Sequence, residues 1–142
     1  MSLAGPGVVA VDQSSSGTKA FVFGARGEIL GSASVAHRQS YPRPGWVEHD
    51  PSALLANTVE AIALAAKDSG LPARRLLALG ITNQRETVVA WDARSGAPLY
   101  PALVWQDERG APYCERIKDS GAAAELRRKT GLVPDTNFSA GK

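Results

Sequence analysis

The sequence predicts an α/β fold, one layer of helices on a mixed sheet. Three observations carry this expectation. Short apolar runs separated by turn residues fill the first 37 positions, one long segment repeats apolar residues at helical spacing, and a near-continuous apolar run, RLLALGITN, follows it. Val8 to Val11 is the first run, ending in Asp12. The small-residue string QSSSGTK then gives way to AFVFG, and Gly24 to Gly27 turns into EILGSASVAH. Strand, tight turn, strand, turn, strand is the economical reading, with the three strands antiparallel in sequence.

The next segment, QSYPRPGWVEHDP, is a Pro/Gly loop, with Trp46 packed beneath it and Glu48 and His49 serving as scaffold. Asp50-Pro51 has the form of an N-cap with proline at the first helical position. Leu54, Leu55, Val59, Ile62, Ala63 and Ala66 recur at helical spacing and predict the buried face of that helix, with Gly70 as its stop. RLLALGITN suits a parallel strand covered on both faces. TVVAWDARSGAPLYPALVWQD reads as two strands around a Ser-Gly turn. Two amphipathic helices follow, about Arg109 to Lys118 and Ala122 to Lys129.

At 142 residues, 44% hydrophobic and 21% charged, the chain has the composition of a globular domain that buries roughly 70% of its unfolded surface. A formal charge of +2 is mild, and Arg74-Arg75 and Arg127-Arg128-Lys129 read as solvated faces, so no nucleic-acid partner is expected. Cys114 is the only cysteine and has no identifiable base near it. It is expected to be an inert thiol, and the cytoplasm is the simplest compartment. No run approaches the roughly 18 apolar residues of a membrane span, so no membrane partner is expected. Residues 1–6 read as a loose or appended start and 7–142 as the domain proper.

Two polar stretches carry candidate chemistry. In DQSSSGTK, a turn of small residues aims backbone N–H groups into one concavity suited to an anion. Ser14, Ser15, Ser16 and Thr18 add hydroxyls, Lys19 adds a compact positive charge, and Asp12 could hold a hydrated Mg²⁺ through water. The same string also reads as a plain Ser/Gly turn with an exposed lysine, since it matches no Walker pattern, and the terminal SAGK does not supply one. In GITNQRETVVAWD, Arg85 and Glu86 fall beyond a strand's carboxyl end, where α/β sheets gather ligands. A guanidinium beside a carboxylate satisfies two neighbouring hydroxyls of a sugar or polyol, and Trp105 offers a ring face to its carbons. An adjacent Arg and Glu is equally ordinary surface chemistry, and Trp105 equally a core residue.

Taken in order, VVAVDQSSSGTKAFVF, YPRPGWVEHDP, GITNQRETVVAWD, PALVWQDER and TGLVPDTNFSAGK make the chain resemble the start of the FGGY carbohydrate kinase family, and within it the glycerol-phosphorylating members. The resemblance implies an actin-like ATPase (ribonuclease H-like) fold, of which this chain is the incomplete first domain, with ATP and Mg²⁺ as cofactors. It implies that Asp12 lies near the metal and that Ser14, Ser15, Ser16 and Lys19 form the first phosphate loop. It implies that Arg85, Glu86, Trp105 and Asn137 bind the substrate, a small polyol with glycerol first and glycerol 3-phosphate its product. Another polyol or sugar, and a non-catalytic actin-like nucleotide-binding module, are the alternatives.

Two departures bear on the substrate. Asn137 stands where the glycerol-phosphorylating members have a tyrosine, and SSSGTK stands where they have a Gly-Thr-Thr string ending in arginine. Family members are several-fold longer, and their catalytic aspartate matches no residue here. The chain alone is therefore expected to be inactive, cut from a longer parent, and prone to self-association into a homo-oligomer through open sheet edge and core surface.

Overall fold

The computed structural model describes residues 5–142, so positions 1–4 of the loose start expected at residues 1–6 lie outside it. The chain divides into two compact units, one formed by the residues through Arg38 with Ser52–Gln84, the other by Gln39–Pro51 with Arg85–Lys142.

The first unit is a four-stranded sheet with one long helix. Strand β1 (Gly7–Gln13) pairs antiparallel with β2 (Gly17–Gly24), and β2 antiparallel with β3 (Ile29–Ala36), as the apolar runs predicted. Helix α1 (Pro51–Ser69) leads to a 3₁₀ turn at Ala73–Arg75 and to β5 (Leu76–Thr82), which lies parallel to β1. The sheet order is β3-β2-β1-β5, and between β3 and α1 the chain contributes β4 (Glu48–His49) to the second unit. Val9, Val11, Ala20, Val22, Ala61, Ala65 and Leu71 form the core, and a fully buried valine such as Val22 contributes about 1.5–3 kcal/mol.

The predicted face of α1 is only partly covered: Leu54, Ile62 and Ala66 are half-buried, with Ile62 against the core. Ala61 and Ala65 are its buried residues, whereas Leu55 and Val59 remain 68% and 58% exposed. The cause is the closeness of the helix to β3. A Cβ on Gly31 would lie 2.5 Å from the Ala65 carbonyl and 2.4 Å from the Ser69 nitrogen, so only small residues fit on the facing side. Strand β5 also departs from expectation. It is parallel, but it ends the sheet and its faces are open, with Leu77, Leu79 and Ile81 all exposed.

The face of β2 that meets α1 also carries a polar network, at the start of the strand. Thr18, fully buried, contacts His37 Nε2 at 2.9 Å and the Thr58 hydroxyl at 3.2 Å, and Asn57 Nδ2 donates to His37 Nδ1 at 3.0 Å. Because Asn57 donates to Nδ1, the proton of neutral His37 sits on Nε2, which donates to Thr18.

The second unit holds little regular strand. β4 pairs with β6 (Ala102–Leu103), and helices α2 (Ala111–Asp119) and α3 (Ala123–Thr130) follow near the predicted limits. The predicted hairpin of two strands reduces to isolated bridges, Val88 with Leu103 and Trp91 with Pro98. Pro98 and Pro101 remove backbone donors there, which prevents a continuous ladder. The Ser-Gly turn itself is present and is held by Asp92, whose Oδ1 accepts from the Arg94 and Ser95 N–H groups and the Ser95 hydroxyl. Those bonds hold the Asp92 carboxyl below its usual range. No helix among the described residues is long and apolar enough to cross a membrane.

Candidate functional site

Within the first unit, the DQSSSGTK string forms the hairpin between β1 and β2. Asp12 and Lys19 are direct cross-strand partners, both exposed, so their side chains share one face of the sheet. The turn is internally tied. The Ser14 N–H and hydroxyl both donate to the Gly17 carbonyl, at 3.0 and 2.8 Å, and the Ser16 carbonyl accepts from the His37 N–H. Ser14 has therefore committed its one hydroxyl proton and offers a ligand only lone pairs, whereas the exposed Ser16 is held by its backbone alone. Gln84, just beyond β5, donates from Nε2 to the Ser14 carbonyl at 3.1 Å and so fixes the turn at the carboxyl ends of the two parallel strands.

Within the second unit, the Arg85-Glu86 pair opens the segment after that strand. Glu86 has φ +69°, the only positive φ at a non-glycine among the described residues. A non-glycine residue there is strained by about 1 kcal/mol or more and persists only where its surroundings hold it. Here the holding group is Ser139, which donates from its hydroxyl at 2.5 Å and from its N–H at 2.8 Å, both to Glu86 Oε2. These two bonds, with help from the Lys142 and Arg85 charges and against partial burial, keep the Glu86 carboxyl below its usual range.

Ser139 sits in a closing 3₁₀ turn, Ser139–Gly141, that rests on the start of α2. A Cβ on Gly110 would lie 2.5 Å from the Gly141 carbonyl oxygen, so glycine is required at that approach. Lys142 folds back to donate from Nζ to the Thr136 and Asn137 carbonyls. Burial pushes its amine below the usual lysine value, against the pull of Asp107, Glu86 and Asp135. Asn137 is exposed, with its backbone fixed by an N–H bond to Asp135 and by the Lys142 contact. Trp105 is 39% exposed, so it is not a core residue, and its backbone N–H donates to the Thr87 hydroxyl, next to Glu86. The structure thus links Glu86, the Asn137 segment and Trp105 through Ser139 and Thr87, and leaves Arg85 exposed beside them.

Sequence reading did not find the frame under this cluster. Arg109 donates from Nε to Asp107 Oδ1 at 2.8 Å, and from one terminal nitrogen to Asp107 Oδ2 at 2.8 Å and Glu48 Oε1 at 2.7 Å. Its guanidinium lies 3.8 Å from the centre of the Trp46 ring. Asp107, fully buried two residues after Trp105, also accepts from the Val47 N–H at 2.7 Å. Burial alone would raise the Asp107 carboxyl, but the bonds from Arg109 and Val47 outweigh it and hold the group below its usual range. Arg109 is likewise pushed above its usual value by the two carboxylates, despite burial. The run WQDER contains two of these residues, but their pairing with Glu48 spans about 60 positions and leaves no periodic signal.

Residues 7–142 match the family model described as the N-terminal domain of the FGGY family of carbohydrate kinases. The chain belongs to that family. It is 50% identical over 135 residues to glycerol kinase 1 of Thermotoga maritima and 46% identical to glycerol kinase of Halobacterium salinarum, covering 95% of this chain. It spans about a quarter of the length of those relatives, 27% and 26%. Among solved structures, glycerol kinase of Plasmodium falciparum with ADP is 31% identical, with a TM-score of 0.85, covering 99% of this chain and 28% of that one. Xylulose kinase of Lactobacillus acidophilus, at 18% identity, shares the fold with a TM-score of 0.83. The mixed sheet of the FGGY chain is that of the actin-like ATPase fold.

Proposed function

We propose that this chain is part of an ATP-dependent kinase that phosphorylates a primary hydroxyl of a small polyol, glycerol first. The observation that carries the reading is Glu86, a carboxylate held in a strained left-handed conformation beside an exposed Arg85. A group fixed at that cost, on a loop beyond a strand end, is what a hydroxyl clamp requires. Glu86 Oε1 accepts from one hydroxyl, Arg85 donates to its neighbour, and the exposed ring of Trp105 covers the carbons between them. The likeness to glycerol kinases favours glycerol, and Asn137 in place of the expected tyrosine favours a longer polyol or a sugar as the second reading.

ATP supplies the phosphoryl group when bound. Lys19 and the Ser15–Ser16 backbone are the residues of this chain that would hold its phosphates. Asp12 is exposed, and no cluster of three His, Cys, Asp or Glu able to hold a metal occurs among the described residues. Asp12 is the residue of this chain that would hold Mg²⁺, through water, and the ion would neutralise charge on the transferred phosphoryl group. The proton of the attacking hydroxyl goes to an aspartate base implied by the family, a role no residue here fills, so the activity belongs to a longer parent. The cytoplasm is the compartment we propose for it. ADP release by the gene product carried to its natural stop, with glycerol compared against erythritol, xylitol and a ketopentose, tests the reading. Preference for glycerol supports it, turnover only on a longer substrate transfers it to the second reading, and silence on all four refutes it.

A further inference from the structure

We propose that Ser139 is a positioning residue for substrate recognition, fixing the Glu86 carboxylate so that Oε2 is occupied and Oε1 is presented to a ligand hydroxyl. The proposal rests on the polyol reading above. Two independent features of the structure carry it. The first is the left-handed backbone at Glu86, which needs an external restraint. The second is that both donors of Ser139, 53 residues away, converge on a single oxygen of that carboxylate. A freely rotating carboxylate would present either oxygen over a wide arc. With Oε2 doubly bonded, the carboxylate plane is set and one acceptor remains.

The same bond ties down the segment that carries Asn137. Lys142 closes the Thr136–Asn137 backbone, the Ser139–Gly141 turn is seated on Gly110, and Ser139 fastens the whole turn to Glu86. Clamp and specificity segment are thereby one mechanical piece. Loss of the Ser139 hydroxyl loosens both while removing no group that touches the substrate.

The test compares Ser139→Ala and Ser139→Thr with the parent sequence in two measurements. In the 142-residue chain, carboxyl ¹³C NMR, with Glu86→Gln supplying the assignment, follows the titration of Glu86 without any ligand. Ser139→Ala is expected to move its midpoint up toward the ordinary glutamate value, and Ser139→Thr to leave it near the parent's. In the full-length gene product, calorimetric titration with glycerol is expected to show a Kd raised about tenfold for Ser139→Ala, the scale of one charge-assisted hydrogen bond. Ser139→Thr should recover most of that loss. A Glu86 midpoint indifferent to Ser139, or a glycerol Kd unmoved by Ser139→Ala while Glu86→Gln abolishes binding, overturns the proposal. Absence of glycerol binding by the wild-type gene product refutes instead the polyol reading and the ligand role with it, whereas the NMR titration still decides whether Ser139 holds Glu86.

Discussion

Replacing Arg109 with Met removes the cation that bridges two buried carboxylates while keeping a long side chain against Trp46. The Asp107 side chain is fully inaccessible and that of Glu48 is 10% exposed, so neither is rescued by solvent. Breaking a buried pair in this way costs about 3–5 kcal/mol, and loss of the cation stacked on Trp46 adds about 1 kcal/mol. About 4–6 kcal/mol is a large part of the roughly 5–15 kcal/mol available to a domain. All three tryptophans lie in the second unit, so their fluorescence in urea reports on it directly. With a slope of about 2 kcal/mol per molar, the midpoint should fall by about 2–3 M.

The pH dependence should weaken as well. In the parent chain the Asp107 carboxyl lies below its usual range, so its contribution is present above the unfolded value, near pH 3.9, and is lost as pH falls through the folded value. Without the Arg109 guanidinium the Asp107 carboxyl moves up, although the Val47 and residue-109 N–H groups still donate to it, so Arg109→Met should lose less stability than the parent as pH falls. The double variant Asp107→Asn/Arg109→Met should be more stable than Arg109→Met alone at pH 7. A loss under 1 kcal/mol, a pH slope parallel to the parent's, or a double variant no better than the single one would refute the reasoning.

Three further outcomes follow from the same structure. Gly31→Ala places a methyl group into the α1 backbone and should destabilise the first unit by about 1–3 kcal/mol, read by circular dichroism in urea. Thr18→Val removes a fully buried hydroxyl bonded to His37 and Thr58 and should cost about 1–3 kcal/mol, whereas Ser16→Ala, exposed, should cost under 0.5 kcal/mol. The open β5 should drive self-association of the 142-residue chain. Ile81→Lys, at a 60% exposed position, should shift light-scattering mass toward monomer with the circular dichroism spectrum intact.

The sheet was legible because its signals are local. Alternating apolar runs, the turn strings and the return of an apolar strand after a long helix determine β1, β2, β3, α1 and β5 within a few residues. Two errors there have one cause, since periodicity shows which residues are apolar but not what lies over them. Leu55, Val59, Leu79 and Ile81 are apolar and exposed, and the choice of Ala61 and Ala65 as the buried face depends on the space above Gly31. The second unit was less legible because side chains, not ladders, hold it. Arg109 with Glu48 and Ser139 with Glu86 are bonds across 61 and 53 positions, and the left-handed Glu86 has no turn signature of its own. The site residues were visible as residue types only. Their connection through Thr87 and Ser139 required the fold.

The central claim is that Glu86 grips a substrate hydroxyl. Its most direct test is ADP release by the full-length gene product with glycerol, wild type against Glu86→Ala. The account predicts that kcat/KM falls at least about 100-fold, the scale of a charged hydrogen bond to substrate. Turnover by Glu86→Ala within threefold of wild type would contradict it.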